Sequence, residues 1–337
     1  MEVTVIANIG KKTKNISGQT ARANSIIEAV IDLGYTPKII ELDGTKSYLD
    51  LIKLFFKIVF NVLIADKIIV ISAKNGVKVL NFLFKFLRTK PKTVLIPTGG
   101  WFDVKGNNKK SYLNYKAIFI QSSNHHQFIK NKLGDNVFHL PNFRKFYNYN
   151  TEENIIKKPV NNILKIIFNS RVTKDKGIFE AITAVNEINK VKINLNLDVY
   201  GQISDQIKFL FMNEISNNPQ INYRGEYLPE DVKSTLINYD LMLFPSYYFG
   251  EGQPGVLLDA IFNAIPVIAS DWKFNNELVI NEINGFLVKP KSSKSIKDAL
   301  IRYIENPNLI NVHSNNTRKL KEIYSYENTL NSLKNNL

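Results

Sequence analysis

The chain has 337 residues, more than one hydrophobic core usually serves at roughly 100–200 residues per domain, so two compact units are expected. Hydrophobic residues at 44% and aromatic residues at 11% exclude wholesale disorder. The lack of cysteine excludes disulfides, thiolate zinc sites and a cysteine nucleophile, and it fits a reducing, cytoplasmic compartment. The formal net charge of +14 is uneven: residues 1–157 carry 24 Lys/Arg against 11 Asp/Glu, and residues 158–337 carry 20 against 19. A positive half suits a polyanion or an anionic membrane surface, while a lysine-rich composition alone produces the same imbalance.

The first residues, Met1-Glu2-Val3-Thr4, read as a strand without the basic and apolar regions of an export leader, so no leader is expected. Strands are predicted over 3–8, 38–42, 67–72, 93–97, 117–121 and 137–140, with helical segments between several of them, which is the pattern of a parallel, helix-covered sheet. Residues 51–64 (LIKLFFKIVFNVLI) are the most apolar stretch. Lys53 and Lys57 interrupt it, and it falls short of the roughly 18–20 uncharged residues that span a bilayer. Residues 78–88 (KVLNFLFKFLR) place Lys78, Asn81, Lys85 and Arg88 on one helical stripe beside phenylalanines and leucines. Both segments fit interfacial helices on an anionic membrane, and both also fit core helices with snorkelling lysines.

Periodicity is lost over 144–162, where Asn, Lys and Glu collect, so the domain boundary is expected there. The organisation read from this is a first Rossmann-like domain over 1–150, a linker over 151–162, a second Rossmann-like domain over 163–310, and a helical segment over 311–337 that can pack back on the first domain. Strands of the second half are predicted over 163–169, 194–200, 221–223, 241–244, 267–269 and 285–288. In such sheets ligands sit beyond the carboxyl ends of strands, which points to the loops after Asn169, Tyr200, Phe244 and Ala269.

Two of these loops carry chemistry. Ser170-Arg171-Val172-Thr173-Lys174-Asp175-Lys176-Gly177 brings cations, a close turn and a helix N-terminus together, which suits a diphosphate as well as it suits a solvated charged loop. After Phe244, glycines at 250, 252 and 255 flank the carboxylate of Glu251, so the backbone can approach a ligand closely. In the helix that follows, Leu257, Ala260, Ile261 and Ala264 share a core face, whereas Val256, Asp259 and Asn263 point elsewhere and Asp259 can face a cleft.

The ordered set resembles the family-4 retaining glycosyltransferases. It comprises Arg171 with Lys176 before Gly177, Tyr200-Gly201, Pro245-Ser246, Glu251-Gly252-Gln253-Pro254-Gly255 with Asp259 eight residues on, Pro266-Val267-Ile268-Ala269-Ser270 and Gly285-Phe286-Leu287-Val288. The resemblance covers residues 163–290. It implies an α/β GT-B fold of two Rossmann-like domains facing each other across a cleft. It also implies metal-independent transfer of a hexosyl or related sugar, with retention of configuration, from a nucleotide-diphosphate sugar, UDP above others. The acceptor implied is a glycan or lipid-linked saccharide of bacterial surface polysaccharide synthesis, reached in the cytoplasm or on the inner face of the cell membrane.

By the same resemblance Arg171 and Lys176 hold the diphosphate, Glu251 addresses the transferred sugar, and Gly201 with Gly252, Gln253, Pro254, Gly255 and Val256 completes the donor contacts. Asp259 takes the ribose position, where the family carries a glutamate one methylene longer. Glu251, Arg171 and Lys176 are the implied catalytic set. In the first half, Asn15-Ile16-Ser17-Gly18-Gln19-Thr20 resembles the family's glycine loop. Thr98-Gly99-Gly100-Trp101-Phe102-Asp103 resembles the Gly-Gly-Trp loop of capsule and exopolysaccharide transferases. Gly18, Gln19, Thr20, Gly99, Gly100, Trp101 and Asp103 are therefore the implied acceptor or cleft residues. The cleft histidine of many relatives is absent from that loop; His125 and His126 read as helix-surface or capping residues, and no acid pair suggests a metal.

Competing readings are weaker. Ile9-Gly10-Lys11-Lys12 after the first strand lacks the dinucleotide fingerprint, the lysines form no recognised nucleic-acid motif, and no residues match a phosphorylase's pyridoxal lysine. A catalytically inactive sugar-nucleotide-binding relative stays open because of Asp259, and a basic nucleic-acid-binding protein because of the charge.

Overall fold

The computed structural model describes residues 1–10, 18–42, 47–102, 110–145, 163–191 and 195–337. The proposed linker over 151–162, Asn15 to Ser17 and Asp103 lie outside the described residues. The chain divides into two compact units, Met1–Lys145 together with Tyr324–Leu337, and the residues between them up to Ile323.

The first unit runs β1 (Glu2–Ala7), α1 (Gly18–Asp32), β2 (Thr36–Glu41), α2 (Tyr48–Ile64), β3 (Ile68–Ser72), α3 (Lys74–Phe86), β4 (Thr93–Pro97), β5 (Ala117–Ile120), α4 (Ser123–Leu133) and β6 (Val137–His139). The strands form one parallel sheet in the order β2-β1-β3-β4-β5-β6. Strands β3, β4 and β5 are buried end to end, as a parallel sheet covered on both faces requires. Alternation along the strands makes two cores. Ile6, Val70 and Leu95 pack with Ile58 and Val62 of α2 and with Val77, Leu80 and Phe84 of α3. Val5, Ile69 and Val94 pack with Ala23, Ile26 and Val30 of α1 on the opposite face.

Asn81 does not join the exposed stripe expected of it. It follows Val77 by one turn on the inward face of α3, and it is buried, its Nδ2 donating to Ser111 Oγ (3.1 Å) and its Oδ1 accepting from Tyr115 OH (3.0 Å). Arg88 lies beyond the helix, in the left-handed region at φ 55°.

The second unit runs β7 (Leu164–Asn169), α5 (Ile178–Asn189), β8 (Leu195–Tyr200), α6 (Lys208–Ser216), β9 (Ile221–Gly225), α7 (Val232–Leu236), β10 (Leu241–Phe244), α8 (Gly255–Phe262), β11 (Val267–Ser270), β12 (Gly285–Val288), α9 (Ser293–Glu305) and α10 (Asn308–Lys319). Its parallel sheet has the order β12-β11-β10-β7-β8-β9. The direction of strand addition reverses between β7 and β10, which pair from Ile166 with Leu241 to Phe168 with Leu243. The crevice beyond their carboxyl ends is the topological switch point. Both units are Rossmann-like.

The chain end divides later than residue 311. Helix α10 stays on the second unit, where Ser314 Oγ donates to Ala264 O (2.6 Å) and Thr317 Oγ1 to Asn284 O (3.2 Å). Helix α11 (Tyr326–Lys334) belongs to the first unit: Leu333 and Leu337 enter the core under α1, Ser332 Oγ donates to His139 O (3.2 Å), and Lys116 Nζ donates to Leu337 O.

Candidate functional site

The loop after β7 tightens into a short 3-10 turn over Lys174–Lys176 and enters α5 through Gly177. Gly177 sits at φ 77°, and a Cβ there would lie 2.3 Å from the Pro245 carbonyl oxygen, so glycine is what lets this loop lie against the loop after β10. Asp175 O accepts from the Tyr247 backbone N–H at 2.8 Å and ties the two loops together. Gly201 at the end of β8, φ 126°, approaches from the other side; a Cβ there would lie 2.0 Å from Ser170 O. The glycines expected at positions 177 and 201 are thus required by close backbone packing around residues 170–176.

At the centre of this arrangement Lys176 Nζ pairs with Glu251 Oε2, and Ser246 Oγ donates to the same oxygen at 2.7 Å. Lys176 and Glu251 are 7% and 8% exposed, and Ser246 is fully buried. A charge pair so far out of water is tolerated because the lysine and the serine converge on one carboxylate oxygen. Tyr248 lies beneath both cations, its ring centroid 5.0 Å from Lys176 Nζ and 5.7 Å from the exposed Arg171 guanidinium carbon. Trp272 Nε1 holds the Tyr248 carbonyl at 2.8 Å. Among the described residues, neither α5 nor α8 has a side-chain cap at its N-terminus, so first-turn N–H groups of two helices are left for a ligand. Burial, with Glu180 and Asp175 close by, pushes the Tyr247 phenol up to about 12, which keeps it a hydrogen-bond donor rather than a base.

The remaining expected donor residues occupy the same element. Gln253 is buried with its Nε2 donating to Glu277 Oε2 (3.2 Å), Pro254 and Gly255 open α8, and Gly252 and Val256 are half-buried. Asp259 is buried, and so are all residues from Leu257 to Phe262, because α8 is enclosed on more faces than its sequence pattern indicates. Ser246, Tyr248, Trp272 and Glu277 had no assigned role in the sequence reading. The serine just after β10 and the paired tyrosines stand out in the sequence, but their partners lie five to 24 residues away and only folding joins them.

In the first unit, Gly18 and Gln19 are exposed at the start of α1 and Thr20 is buried. Gly99, φ 87°, and Gly100 are half-buried after β4, and Trp101 Nε1 donates to Thr98 O. His125 and His126 lie in the first turn of α4, where Ser122 Oγ accepts from the His125 backbone N–H (3.2 Å) and His126 Nε2 meets Val137 O (3.2 Å). Among the described residues no group of three or more His, Cys, Asp or Glu side chains could hold a metal ion, and no helix is long and apolar enough to cross a membrane.

The profile of the glycosyl transferases group 1 matches residues 150–320, half of the chain, and takes in the whole constellation around Lys176 and Glu251. The chain belongs to this family. It is 29% identical over 187 residues to an uncharacterized glycosyltransferase of Methanocaldococcus jannaschii, covering 54% of this chain and 47% of that one. It is 26% identical over 186 residues to the capsular polysaccharide biosynthesis glycosyltransferase CapM of Staphylococcus aureus, covering 53% of this chain and 47% of that one. The match thus spans about half the length of these curated relatives. The fold superposes on the HepE protein of Anabaena crystallised with UDP, with a TM-score of 0.74 at 14% identity and with 99% of each chain covered. This family's GT-B fold, two Rossmann-like units with parallel six-stranded sheets, is therefore the fold of this chain.

Proposed function

We propose that this protein transfers a hexosyl or related sugar from a UDP-sugar to a glycan or lipid-linked saccharide, with retention of configuration and without a metal. The observation that carries the reading is the cluster of Lys176, Glu251 and Ser246 at the switch point of the second sheet, with Arg171 beside it and two helix N-termini open. The leaving nucleoside diphosphate gains negative charge as the glycosidic bond breaks. Lys176, Arg171 and the N–H groups of α5 and α8 are fixed in place before that charge develops, so they stabilise the transition state more than the bound donor and fill the role a divalent cation takes elsewhere.

Glu251 orients the hydroxyls of the sugar, and the donor phosphate receives the proton of the attacking acceptor hydroxyl. Gly201, the backbone over Gly252 to Val256, and Asp259 at the ribose complete the donor site. Gly18, Gln19, Thr20, Gly99, Gly100 and Trp101 serve the acceptor. The matched CapM is named for capsular polysaccharide biosynthesis, which supports a role in surface polysaccharide assembly, and HepE was crystallised with UDP, which supports a UDP-sugar donor.

The test is a thermal-shift panel of nucleotides and nucleotide sugars, followed by transfer assays with whichever donor stabilises the protein. UDP and at least one UDP-sugar are expected to raise the melting temperature, and the product is expected to keep the donor's anomeric configuration. Stabilisation by no nucleotide, or an inverted product, contradicts the proposal. Stabilisation without transfer to any acceptor assigns the chain to the sugar-nucleotide-binding class instead.

A further inference from the structure

Helices α2 and α3 cover the same face of the first sheet, since their inward residues share one core. Their other faces carry an unusual load. On α2, only Ile58, Asn61 and Val62 are buried, while Leu49, Phe56, Phe60, Leu63 and Ile64 are 67%, 65%, 63%, 53% and 59% exposed. These residues recur at three- and four-residue spacing, so they form a second apolar stripe directed away from the core. On α3, Val79, Phe82 and Phe86 do the same at 68%, 76% and 79% exposure. An apolar face of this extent on the outside of a Rossmann unit marks an interaction site rather than scattered surface hydrophobics.

The charges around the face identify what covers it. Lys53, Lys57, Lys78 and Lys85 stand exposed among these aromatic and aliphatic side chains, and Asp50 at the start of α2 is the single acid on either helix. From residue 47 to 92 the chain carries nine Lys/Arg against two Asp. Rings and leucines at the level of the acyl boundary, with lysines reaching past them to anionic headgroups, is the composition of a helix lying in a membrane interface. A second copy of this chain brings the same positive charge and repels.

We infer that the outer faces of α2 and α3 dock the protein flat on an anionic lipid bilayer, with Phe56, Phe60 and Phe82 entering the interface and Lys53, Lys57, Lys78 and Lys85 engaging the headgroups. The inference deepens the lipid-linked arm of the proposed acceptor, but it rests on this face and not on the donor site.

Co-sedimentation of the full chain with phosphatidylcholine vesicles, with and without phosphatidylglycerol, tests it. The protein is expected to pellet with the anionic vesicles at low salt and to release as salt rises. Replacing Phe56, Phe60 and Phe82 together by serine is expected to abolish pelleting. Each Lys→Glu change among the four lysines is expected to weaken binding by about fivefold or more. Both sets are exposed, and melting curves with and without UDP report separately that the fold and the donor response persist. Pelleting that ignores phosphatidylglycerol, or that survives either set of substitutions, overturns the inference. So does lipid-free self-association that the serine variant abolishes, since it assigns the face to a second copy. Vesicle binding without a UDP response leaves the membrane face standing and removes the donor reading; a UDP response without vesicle binding does the reverse.

Discussion

At the residue scale the buried pair of Lys176 and Glu251 is the centre of the candidate site. Both residue types were visible in the sequence as one cation in a charged loop and one carboxylate among glycines, but nothing in the spacing of 75 residues reveals that they touch. The switch between β7 and β10 brings them together. Because the pair is buried, Glu251→Gln leaves an ammonium without its counter-charge, and it is expected to destabilise the protein by about 3 kcal/mol. A bound diphosphate supplies that missing charge. Glu251→Gln is therefore expected to bind free UDP at least as tightly as the parent while its transfer rate falls by about tenfold or more, because the sugar has lost its orienting carboxylate. Melting curves with and without UDP, together with initial rates, check this. A loss of UDP binding that matches the loss of transfer assigns Glu251 to the nucleotide instead.

At the element scale, strands were the most legible feature. Those over 93–97, 241–244 and 285–288 were anticipated at their full extent, because buried parallel strands leave uninterrupted apolar runs. Helix faces were less legible. A segment such as α2, apolar on several sides around Lys53 and Lys57, does not tell which stripe meets the sheet, and Asn81 reads as a surface residue until Ser111 and Tyr115 fold over it. The end of the second unit was also hidden, since α10 is held by contacts back to Ala264 and Asn284 across 50 and 33 residues.

A buried histidine on α10 carries a pH dependence. His313, 1% exposed, has its Nδ1 2.7 Å from Tyr303 OH and packs on the rings of Phe286 and Tyr303. Burial lowers its pKa below the ordinary value of 6.5. The neutral imidazole is the form the fold accommodates, so the stabilisation is present above about pH 6.5 and is lost as pH falls through the lowered folded value. The melting temperature is expected to decline as pH falls below about 6.5, and His313→Gln, which cannot titrate, is expected to flatten that decline. Parallel pH profiles for the two proteins contradict the assignment.

At the scale of the whole molecule, the two Rossmann-like units were legible, because each sheet announces itself by strand–helix alternation. The strand orders were not legible, since they depend on which neighbour each strand chooses. The return of α11 to the first unit depends on Leu333 and Leu337 finding the core under α1. The +14 charge of the chain likewise gains meaning only once α2 and α3 are seen to expose lysines and phenylalanines on one side.

Arg171 and Lys176 are proposed to hold a nucleoside diphosphate at the switch point of the second sheet. Calorimetric titration of UDP into the parent protein, Arg171→Ala and Lys176→Ala tests it most directly, with circular dichroism confirming that each variant is folded. Loss of one charge-assisted contact costs about 1.5–3 kcal/mol, so each variant is expected to bind UDP about tenfold to a hundredfold more weakly than the parent. Equal affinity for UDP in all three proteins would contradict the account.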